Sequence, residues 1–297
     1  MIGTSSMDSK KVFITGSGGF VGKYLYAALK PGCKVFGIDK VKNNFVDDVF
    51  DICDEMRLRD ALNAFKPNVI IHLAALSNVE LCEKDRELAY RNNVSPVQIL
   101  TDWVKGNNAR LIFISTDYVY DGIKGDFTEE DAENPVQWYG ETKLEAEKIV
   151  AALKNFVILR PTVIYGWDPN GMNFFMQLYR SWLAEKEMRV PADQISNPIY
   201  VADLCNLIEK IIRTEDSSGK YNATGPESFN RYDFAVKICE YFNWDKSVLI
   251  PLKTADLGQV ARRPLNNSTI SDKVSERFGF RFKTLECNLS FIKEQIK

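Results

Sequence analysis

The stretch Val12-Phe13-Ile14-Thr15-Gly16-Ser17-Gly18-Gly19-Phe20-Val21-Gly22 constrains this chain more than any other, because an apolar β-type run passes through a glycine turn directly into a helical pattern. In such a join Gly16 permits the tight turn, Gly19 lets the backbone approach a pyrophosphate, and Gly22 allows close packing of helix on strand. The helix start then offers unpaired N–H groups and a positive dipole end to phosphate. A ligand-free strand–helix turn uses some of the same glycines, so the wider pattern has to decide. β-rich runs at Lys11–Thr15, Lys34–Ile38, Val69–Leu73, Arg110–Ser115 and Phe156–Arg160 alternate with amphipathic stretches at Val21–Leu29, Met56–Phe65, Leu88–Val104 and Lys143–Leu153. That alternation predicts an α/β fold with a parallel sheet and crossover helices, punctuated by Pro67 and Pro161.

Beyond Gly166 the pattern loosens. Met172–Glu185 and Tyr232–Phe242 read as helices, and Asn197–Tyr200 followed by Val201–Arg213 as one more strand and helix. The expected layout is a dinucleotide-binding domain, residues 7–162 plus 196–218, and a smaller C-terminal substrate-binding lobe, residues 163–195 plus 219–297.

The bulk numbers exclude several classes. A chain of 297 residues with 45% hydrophobic residues fills a core, and a net charge of −2 leaves no basic footprint for nucleic acid. The longest apolar runs are far below the roughly 20 residues needed to cross a bilayer, and Met1–Lys11 has no apolar core of the signal-peptide kind. The six cysteines show neither zinc spacing nor a secreted disulfide framework, so reduced thiols in a cytoplasmic protein are expected. His72 is the single histidine. Any imidazole chemistry must use that residue, and no metal site is expected.

Asp39 ends the second β-run. A carboxylate there hydrogen-bonds the ribose hydroxyls of NAD and repels a 2′-phosphate. Lys40 and Lys42 lie close enough to bind that phosphate instead, so NAD is favoured over NADP only weakly. Tyr139 and Lys143 are spaced to share one face of a helix. A cation held near the phenol brings its pKa down from about 10 toward neutrality, where it transfers protons efficiently. Ser115 and Thr116 stand at the C-terminal end of an apolar run, the edge where such sheets bind ligands. Thr116 suits a substrate carbonyl, whereas Ser115 is expected to face the core.

With these features in place the chain resembles the extended short-chain dehydrogenase/reductase family over nearly its whole length. The resemblance implies a Rossmann-type doubly wound parallel sheet and a usual homodimer. It assigns catalysis to Thr116, Tyr139 and Lys143, and the cofactor to Gly16, Gly18, Gly19, Phe20, Val21, Asp39 and Lys40. It adds Asp51 and Ile52 at the adenine, Leu73, Ala74 and Ala75 after the third strand, Asn93 on the fourth helix and Pro161 beside the nicotinamide, with Tyr139 and Lys143 also touching the cofactor.

Within that family the stretches Cys82–Tyr90, Ser115–Gly122 and Ala261–Asn267 resemble the dTDP-4-dehydrorhamnose reductases. This narrower resemblance implies a sugar-nucleotide substrate touched by Ser77, Asp117, Tyr118 and Asn173, with Arg262 or Arg263 at its pyrophosphate. Val163 stands where those reductases commonly carry a tryptophan, and Trp167 is the candidate replacement. The implied reaction is reduction of a nucleotide-linked 4-keto-6-deoxy sugar. Dehydration is disfavoured because Tyr118, not a glutamate, follows Asp117. Epimerisation remains open, as does a regulatory subunit like the beta subunit of methionine adenosyltransferase, which resembles these reductases.

Overall fold

The computed structural model describes residues 10–296. Most of the stretch read for a signal-peptide core, and positions 7–9 of the expected first domain, lie outside the described residues. Strands β1 (Lys11–Thr15), β2 (Lys34–Asp39), β3 (Asp48–Val49), β4 (Val69–His72), β5 (Arg110–Ile114) and β6 (Phe156–Pro161) join Gly219–Ala223 in one seven-stranded sheet. Its order is Gly219–Ala223, β6, β5, β4, β1, β2, β3, and every neighbouring pair is parallel. The chain leaves β1 toward β2 and β3, then crosses back to β4 on the other side. The reversal opens a crevice at the carboxyl ends of β1 and β4.

Parallel strands covered on both faces read as continuous apolar runs, and the period of two sorts their side chains. Val12, Ile14, Val69, Ile71, Ile112, Val157 and Leu159 point into one core. Phe13, Ile70, Leu111, Phe113 and Ile158 point into the other. Helices α1 (Phe20–Leu29) and α8 (Val201–Arg213) cover the first face. Helices α2 (Glu55–Phe65), α5 (Ser95–Asn107) and α6 (Trp138–Ala151) cover the second. Helices α3 (Val79–Lys84) and α4 (Arg86–Asn93) flank the crevice. The C-terminal part carries α7 (Phe174–Leu183), α9 (Arg231–Phe242), α10 (Asp272–Phe278) and α11 (Leu285–Gln295). Its buried Phe175, Phe234 and Ile238 belong to the same core as Val12 and Leu204, so it is fused to the sheet layer.

Three expectations need correction. The continuous helix Leu88–Val104 is two helices broken at Val94, because Pro96 lacks an N–H and is accommodated only in a first turn. The helix expected from Lys143 starts at Trp138, where the Gln137 side chain caps it by accepting from Gly140 N at 2.6 Å. Gly219–Ala223, assigned to the C-terminal lobe, is an edge strand of the main sheet paired with β6.

Arg160, the neighbour of Pro161 at the end of β6, is fully buried in the core. It forks onto Glu147 of α6 at 2.6 and 2.9 Å, donates to the Tyr120 hydroxyl at 2.7 Å and reaches Glu133 at 2.5 Å. This network clamps α6, the helix that carries Tyr139, onto β6. Among the described residues no helix is long and apolar enough to cross a membrane.

Candidate active site

The carboxyl ends of the central strands open onto one cavity of about 660 Å³, a volume that suits a bound small molecule. Its first half is built on the glycine loop. Gly16 takes φ +72°, and a Cβ there would lie 2.8 Å from Ala74 N, so the turn and the close approach of the β4 loop both exclude a side chain. A Cβ at Gly19 would meet only Gly16 O, at 3.3 Å, and Gly19 lines the cavity; its bareness leaves room over the start of α1. No side chain caps that helix, which leaves its first N–H groups for a ligand.

Gly16, Gly19, Phe20, Val21, Asp39, Lys40, Ile52, Leu73, Ala74, Ala75 and Pro161 all line the cavity. The Asp39 carboxylate accepts from Gly18 N at 3.0 Å and Lys40 N at 2.6 Å, tying β2 to the glycine loop. Lys40 Nζ bridges Asp51 (3.2 Å) and Asn92 (3.2 Å), while Lys42 is tied to the backbone of Val46 and Asp47. Gly18 and Asp51 are outside the lining and act through these bonds. Asn93 is also outside it: its amide holds Leu76 N (2.8 Å), Leu76 O (3.2 Å) and Thr142 (3.1 Å), bracing the β4 loop against α6. Ser115 departs from expectation. It lines the cavity, and its buried Oγ has no hydrogen-bond partner among the described residues. An orphaned hydroxyl, a bare Gly19 and an uncapped helix start on one crevice fit a dinucleotide.

The second half begins at the end of β5. A Cβ at Gly140 would lie 2.2 Å from Tyr118 O, so α6 can press onto the turn after β5 only because that residue is glycine. This contact brings Tyr139 beside Thr116 on the cavity wall, while the Thr116 hydroxyl donates to Asp117 at 3.0 Å. The sequence reading expected Lys143 to lower the Tyr139 pKa. Burial, with Asp117 next, instead raises it well above the ordinary tyrosine range. The reason is geometric: Lys143 Nζ donates to Ile114 O at 2.7 Å and sits 4.0 Å from the centroid of the Phe113 ring. Burial pushes this ammonium down to about 7. His72 is buried beneath, bonded to Thr15 Oγ1 at 2.7 Å, and pushed down to about 3 by burial, then by Lys143. It stays neutral and does not line the cavity, so it takes no part in the chemistry.

Ser77, Asp117 and Tyr118 line the second half. Asp117 is buried, with Asn267 Nδ2 donating to its carboxylate at 2.9 Å and Thr116 at 3.0 Å. Asn173 lies outside the lining and caps α7 through Met176 N. Arg262 is exposed and outside the lining, and Arg263 pairs with Glu80 at 2.8 Å. Val163 lines the cavity, but Trp167 does not replace the missing ring. It packs edge-on to Tyr179 and accepts the Tyr24 hydroxyl at its carbonyl. Gln194, Ser196, Arg231 and Asn267 also line the site without having been singled out. Asn267 ends the Ala261–Asn267 stretch that resembles the reductases, whereas Arg231 carries no local signal in the sequence.

Comparison with known proteins bears on this geometry. A family model described as the RmlD substrate binding domain matches residues 10–296. A dTDP-4-dehydrorhamnose reductase from Aggregatibacter actinomycetemcomitans is 32% identical over 285 residues, covering 91% of this chain and 94% of the relative. A methionine adenosyltransferase 2 subunit beta from Danio rerio is 28% identical over 270 residues, covering 86% and 81%. The crystal structure of a dTDP-4-dehydrorhamnose reductase from Bacillus anthracis str. Ames in complex with NADP has a TM-score of 0.89 and 29% identity, covering 97% of this chain and 99% of that one. A match spanning the sheet, the crevice and the C-terminal segments together means that this chain belongs to the RmlD substrate binding domain family, among the extended short-chain dehydrogenases/reductases.

Proposed function

We propose that this chain is an NAD(P)H-dependent reductase of a nucleotide-linked 4-keto-6-deoxy sugar, of the dTDP-4-dehydrorhamnose reductase kind that serves dTDP-L-rhamnose synthesis. One observation carries the reading: Thr116, Tyr139 and Lys143 line the same cavity as the glycine loop. Gly16, Gly19, Phe20, Val21, Ser115 and Lys143 are the residues to hold the dinucleotide, which when bound supplies the hydride.

The remaining chemistry belongs to the chain. Thr116 orients the substrate carbonyl against Tyr139. The Tyr139 O–H bond breaks as its proton passes to the carbonyl oxygen, which becomes the alcohol, and the phenolate left behind is reprotonated from solvent. The raised pKa of Tyr139 suits this direction, because the group enters the reaction as a phenol. Lys143, its Nζ donating to the Ile114 carbonyl at the cavity wall, is placed to hold the cofactor ribose rather than to tune the phenol. Asp39 supports a preference for NAD over NADP. The family resemblance supports a cytoplasmic homodimer, which light scattering of the purified protein tests.

The test is cofactor oxidation against dTDP-, UDP- and GDP-linked 4-keto-6-deoxy sugars, with NADH and NADPH. Turnover is expected with at least one sugar. Tyr139→Phe should lower it by about 10²–10⁴-fold while leaving cofactor binding intact, and unaltered turnover refutes the assignment. The similarity to a methionine adenosyltransferase 2 subunit beta favours a second reading, a subunit that binds cofactor without turnover. Absence of reduction across the panel, with a synthetase co-purifying, selects it. Cofactor that survives purification and shows no net oxidation during turnover selects an epimerase.

A further inference from the structure

Asn267 joins the C-terminal segment to the end of β5, and half of its side chain is unused. The residue is 2% exposed and lines the cavity. Its Nδ2 donates to the Asp117 carbonyl at 2.7 Å and to the Asp117 carboxylate at 2.9 Å. A backbone carbonyl can only accept, so the amide cannot turn over, and Oδ1 is fixed as the outward acceptor. Among the described residues that buried Oδ1 meets no donor. It is the one polar atom of the side chain left for whatever enters the cavity, and a buried acceptor of this kind calls for a partner.

Its placement is rigid. Asn267 N donates to Ile195 O at 2.9 Å, Asn266 N to Gly122 O at 2.8 Å and Thr269 N to Asn197 Oδ1 at 2.9 Å. A group held in this way loses little freedom when it binds. The carboxylate that accepts from Asn267 on one oxygen accepts the Thr116 hydroxyl at 3.0 Å on the other. Asn267 is therefore tied to the end of the cavity that receives the carbonyl, away from the glycine loop. A 4-keto-6-deoxy hexose offers only hydroxyls as donors, and of the two carbons flanking its carbonyl only C3 carries one.

We propose that Asn267 determines specificity in the substrate half, its Oδ1 accepting a hydrogen bond from the C3 hydroxyl of the sugar. The inference rests on the sugar-nucleotide reading above and narrows the substrate to sugars with a free hydroxyl beside the carbonyl. An analogue without that hydroxyl leaves the buried oxygen unpaired and is rejected for that reason.

The test compares kcat/KM of the full chain, with NADPH, on dTDP-4-dehydrorhamnose and on its 3-deoxy analogue. Wild type should prefer the parent sugar at least about tenfold. Asn267→Ala should cost the parent sugar at least about tenfold more than the analogue, so that the preference falls toward one while the NADPH Kd is unchanged. If alanine fails to fold, Asn267→Leu fills the same space without an acceptor and should change the ratio in the same way. Equal losses on both sugars overturn the contact and mark Asn267 as a support for Asp117 alone. A wild-type ratio near one overturns it whatever the variants do, and leaves the reductase reading standing. Failure of wild type to reduce either sugar removes the dTDP-sugar reading and this inference with it.

Discussion

Lys143→Met should make the cofactor-free protein more stable and catalytically poor. The ammonium is 2% exposed, and burial pushes its pKa from 10.5 to about 7. At about 1.36 kcal/mol per pH unit, burying the charged form costs about 5 kcal/mol. Methionine removes that charge at similar length, but leaves Ile114 O without its 2.7 Å donor, a loss of roughly 2 kcal/mol. The difference is a gain of about 3 kcal/mol at pH 6, or several degrees in Tm. The sign follows from proton counting. Unfolded Lys143 keeps its proton up to 10.5 and folded Lys143 only to about 7, so wild-type stability rises across that window. The advantage of methionine should therefore shrink by about 1.4 kcal/mol per pH unit above 7 and vanish near pH ~9. Thermal denaturation at pH 6 and pH 9 reads both, while turnover should fall at least about 100-fold. A variant that melts below wild type at pH 6, or with the same offset at both pH values, refutes the reasoning.

Glu147→Gln leaves the fully buried Arg160 without its main counter-charge and should destabilise by about 3–5 kcal/mol; a denaturation midpoint close to wild type would contradict the clamp on α6. Asp39→Asn removes the carboxylate that lines the crevice beside the glycine loop and, if the proposed reading holds, should shift the NADPH-to-NADH affinity ratio about tenfold toward NADPH, measured by quenching of protein fluorescence. Gly16→Ala forces a Cβ to 2.8 Å from Ala74 N at φ +72°, so NADH affinity should drop at least about tenfold; full-strength binding would mean that the turn does not carry the cofactor.

Local chemistry made much of this protein legible before any fold was known. The starts of β1, β2, β4, β5 and β6 fall where their apolar runs begin, because a strand buried on both faces must be apolar throughout. The glycine loop was readable because φ +72° at Gly16, with Ala74 N 2.8 Å from where a Cβ would stand, suits glycine alone. Thr116 and Tyr139 were named as partners from spacing and resemblance, yet what unites them is the bare Cα of Gly140 against Tyr118 O, a contact between distant segments.

Other features carried no local signal. Gly219–Ala223 has little apolar character and becomes a strand only because β6 presents an open edge. Trp167 looked available to a ligand, but Tyr179 had already claimed its ring. The sequence by itself determined the alternating layers, the phosphate-ready turn and the acid–base residue types. Only the tertiary structure decided which charges are paired. Pairing depends on distances between groups remote in sequence, as with Lys143 on Ile114 O and Arg160 on Glu147.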